Sequence, residues 1–273
     1  MPELPEVETV RRTLKRQILN EEIKDVKVYW DNIIGYPNVN EFTRNIKKQI
    51  IVDIKRRGKW LMFELSDYYL ICHLRMEGKF FLKKQGEPLE KHEHIVIIFD
   101  TFELRFKDVR KFGRMYLYKK EDIEKVKPLQ DLGLEPFAQE LTVSYLKNEY
   151  KNKELPIKTA LLDQTIIAGI GNIYADEILF LANINPLKRV NKLTKKDLEL
   201  IIENTRKVLD RAIELGGTTI RTYTSSLGVT GKFQKELCVH QRKGEKCKVC
   251  GNLIEKIKVG GRGTYYCPKC QKK

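Results

Sequence analysis

No apolar run in the 273 residues approaches the ~20 residues that a membrane-spanning helix needs, which argues against a membrane protein. The opening Met1-Pro2-Glu3-Leu4-Pro5-Glu6 is acidic and proline-rich, with neither the basic start nor the apolar stretch of a signal or transit peptide. A cytosolic, reducing location is therefore expected. There is no internal repeat and no low-complexity tract. Cysteine is scarce, six in all, yet four of the six fall in the last 27 residues. Aspartate is missing from Lys232 to Lys273, where 12 Lys/Arg face only 3 Glu. A net charge of +15, concentrated in that tail, implies a polyanionic partner bound through phosphate contacts.

The four cysteines read Cys247-x2-Cys250 and, after sixteen residues, Cys267-x2-Cys270. Two such turns can close a tetrahedral Zn²⁺ site, and four thiolates plus the metal would lower the net charge to about +13. Disulfides, the alternative, lack an oxidising context. Residues 254–259, Gly260-Gly261-Arg262-Gly263 and 264–266 pattern as two short strands about a glycine turn, a zinc ribbon with Arg262 at its tip. Cys72 and Cys238 read as buried thiols without a role.

Leu4, Val7, Val10, Leu14 and Ile18 recur at three- and four-residue steps, predicting a helix over 3–19 with acidic residues in its first turns. Seven short strands are predicted between about Ile46 and Tyr118, which suggests an antiparallel sandwich or barrel. A linker near Pro128–Pro136 precedes helices over 142–148, 158–163, 172–182 and 195–214. Residues 218–237 carry no periodicity and read as a loop. The fold class is thus α+β, with domains at 1–130, 131–236 (including the 218–237 loop) and 237–273.

Pro2 has two readings. It is a helix-starting proline, or, once Met1 is removed, a secondary amine able to attack a sugar C1′ and form a cationic imine. The helix dipole and burial would depress the amine, and a buried Glu3 could act as a general acid. Gly169-Ile170-Gly171-Asn172 lacks the third glycine of a dinucleotide fingerprint, since Tyr174 stands there. It suits a turn opening a helix, where backbone amides and Asn172 can hold a phosphate.

At this point the chain resembles the bacterial formamidopyrimidine-DNA glycosylases, bifunctional enzymes that excise 8-oxoguanine. The resemblance rests on Pro2-Glu3-Leu4-Pro5-Glu6, Arg57-Gly58-Lys59, His73-Leu74-Arg75-Met76-Glu77-Gly78, Asp108-Val109-Arg110-Lys111-Phe112-Gly113, Gly171-Asn172-Ile173-Tyr174 and Gly261-Arg262-Gly263-Thr264 with the four cysteines. It implies an N-terminal β-sandwich with a catalytic helix, then a helix–two-turn–helix domain with a structural Zn²⁺ ribbon. Pro2 would be the nucleophile, Glu3 would protonate the ring oxygen, Lys59 would serve β-elimination, and Arg262 would contact the flanking phosphate and assist δ-elimination. Met76, Arg110 and Phe112 would fill the gap left by an extruded base. His92, Lys153 and Asn172 would contact the DNA backbone, and amides around Arg221 to Ser226 would read a purine edge.

The expected partner is double-stranded DNA holding an oxidised base, bound by a monomer in the bacterial cytoplasm, at the nucleoid. Two rivals stand: a pyrimidine preference of the endonuclease VIII type, which has glycine where this chain has Leu4, and a non-catalytic zinc-ribbon DNA-binding protein. For Lys59 and Arg262 the plain alternatives are a solvated turn lysine and a surface arginine, and for Met76 and Phe112 core packing.

Overall fold

The computed structural model describes residues 1–127, 129–218 and 231–272. Two compact units divide the chain, Met1–Gln130 and Asp131–Leu215 with Lys232–Lys273; the described residues of Gly216–Gly231 group with the first.

The first unit begins with α1 (Leu4–Ile18), whose Leu4, Val7, Val10, Leu14 and Ile18 are all essentially fully buried. Strands β1 (Asp25–Val28), β7 (Glu93–Ile98), β8 (Phe102–Lys107) and β6 (Lys79–Lys84) form one antiparallel sheet in that order. The second sheet runs β2 (Ile34–Tyr36), β9 (Arg114–Lys119), β5 (Tyr68–His73), β4 (Trp60–Leu65), β3 (Ile51–Arg57), antiparallel except where β2 lies parallel to β9. Alternate residues of both sheets, Ile95, Ile97, Leu104 and Phe106 on one and Leu61, Phe63, Leu65, Leu70 and Leu117 on the other, join α1's apolar stripe in one core. That is a sandwich, and the helix is part of its filling.

The seven predicted strands are present within a few residues of their expected bounds. Residues 20–46, left unassigned by pattern, add β1, β2 and α2 (Val39–Ile46), which Asn38 caps by accepting from the Glu41 amide at 3.0 Å. β2 is three residues long and half exposed, too short for periodicity to show.

In the second unit, α3 (Val143–Tyr150), α4 (Ile157–Leu161), α5 (Asn172–Leu181) and α6 (Lys195–Glu214) match the predicted helices. Thr142 and Thr194 cap α3 and α6. The α4–α5 connection is pinned by one side chain: Gln164 accepts from the Gly169 amide (2.9 Å) and donates to the Ile170 carbonyl (2.8 Å). Strands β10 (Glu255–Val259) and β11 (Arg262–Tyr266) form the C-terminal hairpin. Phe180 of α5 packs with Val239, Ile254, Cys247 and Cys267 beneath it.

One ion cluster secures α1. The Glu8 carboxylate accepts from Arg11 (2.7 and 2.9 Å), Arg12 (2.8 Å) and Arg56 of β3 (3.3 Å). Burial pushes its pKa up, but the hydrogen bonds and charges of these guanidiniums outweigh that and hold it below the usual carboxylate range. A folded-state pKa below the unfolded one means the stabilisation is full above about pH 4.3 and is lost as pH falls through the folded value. Glu8→Gln should cost about 2 kcal/mol at pH 7 in urea unfolding, with the difference closing below about pH 4. A gap that persists undiminished at pH 3 would assign the cost to packing instead.

Candidate active site and nucleic-acid surface

The N-terminal end of α1 is built to hold Pro2 and Glu3 in place. Met1 is 45% exposed, whereas Pro2 is buried and Glu3 only 3% exposed. The Glu3 amide donates to Glu6 Oε2 at 2.8 Å. The other oxygen of Glu6 accepts from both the amide (2.7 Å) and the hydroxyl (3.1 Å) of Thr218. Gly217, at φ +78°, lies so close that an added Cβ would sit 2.6 Å from Glu6 Oε1; at Gly231 a Cβ would sit 2.4 Å from the Gly217 carbonyl oxygen. Residues 217 and 218 thus meet one carboxylate, and residue 231 packs against their backbone. Arg221 to Ser226 lie outside the described residues.

Lys59 occupies the two-residue turn between β3 and β4 and is 6% exposed, so it is not a solvated turn lysine. Arg56 fastens this turn to α1, with Nε on Glu8 and Nη1 donating to the Gly58 carbonyl at 2.9 Å. His73, opposite Trp60 in the sheet and edge-on to its ring at 4.6 Å, accepts the Arg75 amide on Nδ1 (2.9 Å). Burial, then the charges of Arg75 and Lys59, push His73 down to about 3, leaving it neutral at pH 7.

Met76 and the Arg110–Phe112 pair come from different turns that share a floor. Gly78 and Gly113 both press on the buried Phe106 ring, where an added Cβ would lie 2.6 and 2.8 Å from it. Asp108, 1% exposed, shapes the second turn: its carboxylate accepts the amides of Arg110 (3.1 Å) and Gly113 (2.7 Å). Phe112 is 48% exposed and Met76 half-buried, so neither is a core residue. The Arg110 guanidinium stacks 4.7 Å from the Phe112 ring. His92 joins the same region, since its carbonyl accepts the Asp108 amide (3.0 Å). Partial burial, with the charges of Lys91, His94, Lys107 and Lys111, lowers its pKa.

In the second unit Lys153 lies half-buried in the turn after α3. Asn172 opens α5 and donates from Nδ2 to the Gly263 carbonyl (2.9 Å), which brings it beside Arg262. Its Oδ1 is buried and has no hydrogen-bond partner. Arg262 is exposed, but it does not form the tip of the hairpin as expected. Gly260 (φ +54°) and Gly261 (φ +77°) make the turn, and Arg262 is the first residue of β11, opposite Val259. Both turn positions demand positive φ, which glycine supplies cheaply and arginine does not.

The sulfurs of Cys247, Cys250, Cys267 and Cys270 lie within 4.8 Å of one another. A tetrahedral Zn²⁺ with ~2.3 Å Zn–S bonds needs S···S near about 3.8 Å, and the Cys247–Cys270 (3.9 Å) and Cys250–Cys267 (3.4 Å) pairs bracket it. The donor set fits one structural Zn²⁺.

Several residues of evident importance were not singled out from sequence. Glu6 and Glu8 read as ordinary first-turn acids, although Glu6 stands at the third helical position, where a capping carboxylate belongs. Asp176 of α5 is fully buried, ion-paired to Lys158 (2.5 Å) and hydrogen-bonded to His240 Nδ1 (2.7 Å), and Lys158 also donates to the Asn172 carbonyl (2.8 Å). No short-range pattern joins residues 158, 176 and 240.

A β-sandwich with a buried N-terminal proline–glutamate pair, a pinned two-turn helical unit and a four-cysteine ribbon define a class of DNA-processing protein. Family models for the formamidopyrimidine-DNA glycosylase N-terminal domain, its H2TH domain, and the zinc finger found in FPG and IleRS match residues 1–115, 132–224 and 244–273. The formamidopyrimidine-DNA glycosylase of Bacillus licheniformis is 50% identical across all of both chains. A Lactococcus lactis FPG point mutant in complex with Fapy-dG-containing DNA superposes at TM-score 0.94 with 41% identity, covering both chains fully. The wild-type L. lactis enzyme, in complex with DNA containing an oxidised pyrimidine, does so at 0.93 with 40% identity, again covering both chains fully. The chain belongs to the formamidopyrimidine-DNA glycosylase family.

Metal analysis should return one zinc per chain. Stripping it with a chelator should unfold the C-terminal hairpin, because metal binding of about 10–16 kcal/mol is folding energy for such a ribbon. The melting transition of the sandwich core should survive; loss of both together would mean that the ribbon holds up more than itself.

Proposed function

We propose that this chain is a bifunctional DNA glycosylase and AP lyase that excises oxidised purines, 8-oxoguanine and formamidopyrimidines, from double-stranded DNA. The observation that carries the reading is the buried Pro2–Glu3 start, clasped by Glu6, on a helix that the Glu8–Arg56 contact ties to the turn of the buried Lys59. The names of the relatives support the substrate class.

Once Met1 is removed, the Pro2 nitrogen is a secondary amine with a lone pair. It attacks C1′ as the damaged base departs, Glu3 delivers a proton to the ring oxygen, and the sugar opens to a cationic imine. That cation withdraws electrons, so loss of a C2′ proton expels the 3′ phosphate; Lys59 serves this β-elimination. Arg262 holds the flanking phosphate and assists the δ-elimination that frees the 5′ side. Met76, Arg110 and Phe112 fill the vacated stack, the stacked Arg110–Phe112 pair offering a wedge and a hydrogen-bonding head to the orphaned base. His92, Lys153 and Asn172 contact the DNA backbone. The Zn²⁺ is structural, since four thiolates fill its coordination shell.

Among the described residues no helix is long and apolar enough to cross a membrane. We place the protein in the bacterial cytoplasm, working as a monomer on the nucleoid. We take its domains as 1–130, 131–236 and 237–273; of the 218–237 segment expected to close on the extruded base, residues 219–230 lie outside the described residues.

Borohydride trapping tests the chemistry. Duplexes holding 8-oxoguanine opposite cytosine should crosslink to the N-terminal peptide at Pro2 more strongly than duplexes with an oxidised pyrimidine. Stronger trapping on the pyrimidine would keep the mechanism and overturn the substrate. Pro2→Gly should bind DNA yet lose strand cleavage, and a variant cutting at the wild-type rate would sink the mechanism. Asp108→Asn should slow excision of 8-oxoguanine by on the order of tenfold while sparing cleavage at a preformed abasic site, where extrusion is cheaper. Equal losses on both substrates would deny the Asp108 turn a part in base extrusion.

A further inference from the structure

The hairpin that carries Arg262 is anchored at two ends by different means. At its open end, Cys247 and Cys250 precede β10 and Cys267 and Cys270 follow β11, so the metal site fixes that end. The turn lies five residues away, about 17 Å along a two-stranded ribbon, and a lone two-stranded ribbon is marginally stable in water. Something besides zinc must hold the turn.

Two side chains of the helical unit do so, one on each side of Arg262. Asn172, at the start of α5, donates to the carbonyl of Gly263, the residue after it. Thr159 of α4 meets Gly260, two residues before it: a Cβ at Gly260 would lie 2.6 Å from Thr159 Oγ1, 3.3 Å from Cγ2 and 3.5 Å from Cβ. The Thr159 hydroxyl oxygen is buried and makes no conventional hydrogen bond. What lies against it is the space that a side chain at Gly260 would fill, an approach that glycine permits at φ +54°. Lys158, the neighbour of Thr159, donates to the Asn172 carbonyl, so the two seats belong to one rigid piece.

We infer that Thr159 and Asn172 are positioning residues for Arg262, seating the hairpin turn so that the guanidinium meets the phosphate in register for δ-elimination. The inference rests on the role of Arg262 proposed above. Thr159 touches no reacting atom and acts only through Gly260.

The test is a double-mutant cycle on abasic-site DNA, read as the ratio of δ- to β-elimination product, with zinc content and borohydride trapping measured alongside. Arg262→Ala sets the scale and should leave β-product alone. Gly260→Ala drives a methyl into Thr159 Oγ1 and should lower the δ step by on the order of tenfold. Adding Thr159→Ala removes the clashing atom and should restore most of that loss, although the positive-φ strain at residue 260 is the same in both variants. Zinc content and trapping should stay at wild-type level throughout. If Gly260→Ala sheds its zinc, Thr159→Leu makes the same clash from the α4 side with the ribbon's own sequence intact, and the same loss in δ-product is expected.

A double variant no better than Gly260→Ala, or a Thr159→Leu with the wild-type product ratio, overturns the seating role while Arg262 keeps its own. An Arg262→Ala that still completes δ-elimination removes the proposed role of Arg262, and this inference falls with it.

Discussion

The first unit's reactive end depends on one carboxylate. Glu6 is 4% exposed, and its oxygens accept from the Glu3 amide and from the amide and hydroxyl of Thr218. A buried carboxylate is costly unless its lone pairs are filled and a positive field faces it; here the donors and the N-terminal end of α1 supply both. The consequence is geometric. The backbone next to Pro2 and the backbone at residue 218, more than two hundred residues apart, are held by the same group. The Gly216-Gly217 pair that ends the α6 pattern is therefore more than a helix stop. Gly217 is also the residue that lets the chain pass within contact distance of Glu6.

What was legible in the sequence was local or periodic. The stripe on α1, the seven strands between 51 and 119, the four helical segments beyond residue 140 and the cysteine spacing each declare themselves within a window of a few turns. What was not legible depends on partners far away. Nothing in Arg56-Arg57-Gly58-Lys59 says that the lysine is buried, because burial comes from the sheet behind it and from the Glu8–Arg56 contact to α1. Asn172 was readable as a phosphate-holding residue at a helix start, but its bond to Gly263, ninety-one residues on, was not. Arg262 was expected within the turn rather than at the start of β11 because Gly260-Gly261-Arg262-Gly263 leaves the register open until the strands pair. Cys238 is half-buried rather than buried, and the amides of residues 238–240 all donate to Glu177 of α5, a contact 61 to 63 residues away that no local pattern shows.

A chain of charge +15 that meets a polyanion must still bury some ions in its interior. It does so in matched sets. Arg105, 1% exposed, is enclosed by Glu93 (2.9 Å), Glu103 (2.7 Å) and the carbonyls of Glu87 and Pro88. Lys158, Asp176 and His240 do the same in the second unit. Such sets add little net stability over apolar packing, because desolvation offsets the attraction, but losing one member leaves an unpaired charge worth several kcal/mol. Their effect is to fix register: Arg105 fixes the 87–93 connection on β8, and Asp176 fixes the start of α5 against the approach to the ribbon.

Backbone strain completes the pattern. Among the described residues seven non-glycine residues have positive φ, and three of them, Arg75 (+52°), His92 (+72°) and Lys111 (+58°), stand in the turns around Met76, Arg110 and Phe112. Each left-handed residue of this kind costs about 1–3 kcal/mol, which glycine would avoid. Glycine would bring no cation or imidazole, however. At each of these places the chain keeps a basic side chain on a backbone that disfavours it, and Asp108, His73 and Phe106 supply the contacts that hold the strained turns in shape. Tolerating that strain makes sense where the side chains must stand out toward a polyanion from a fixed position, with a flexible methionine and an exposed phenylalanine beside them. A merely solvated surface would have selected the relaxed turn.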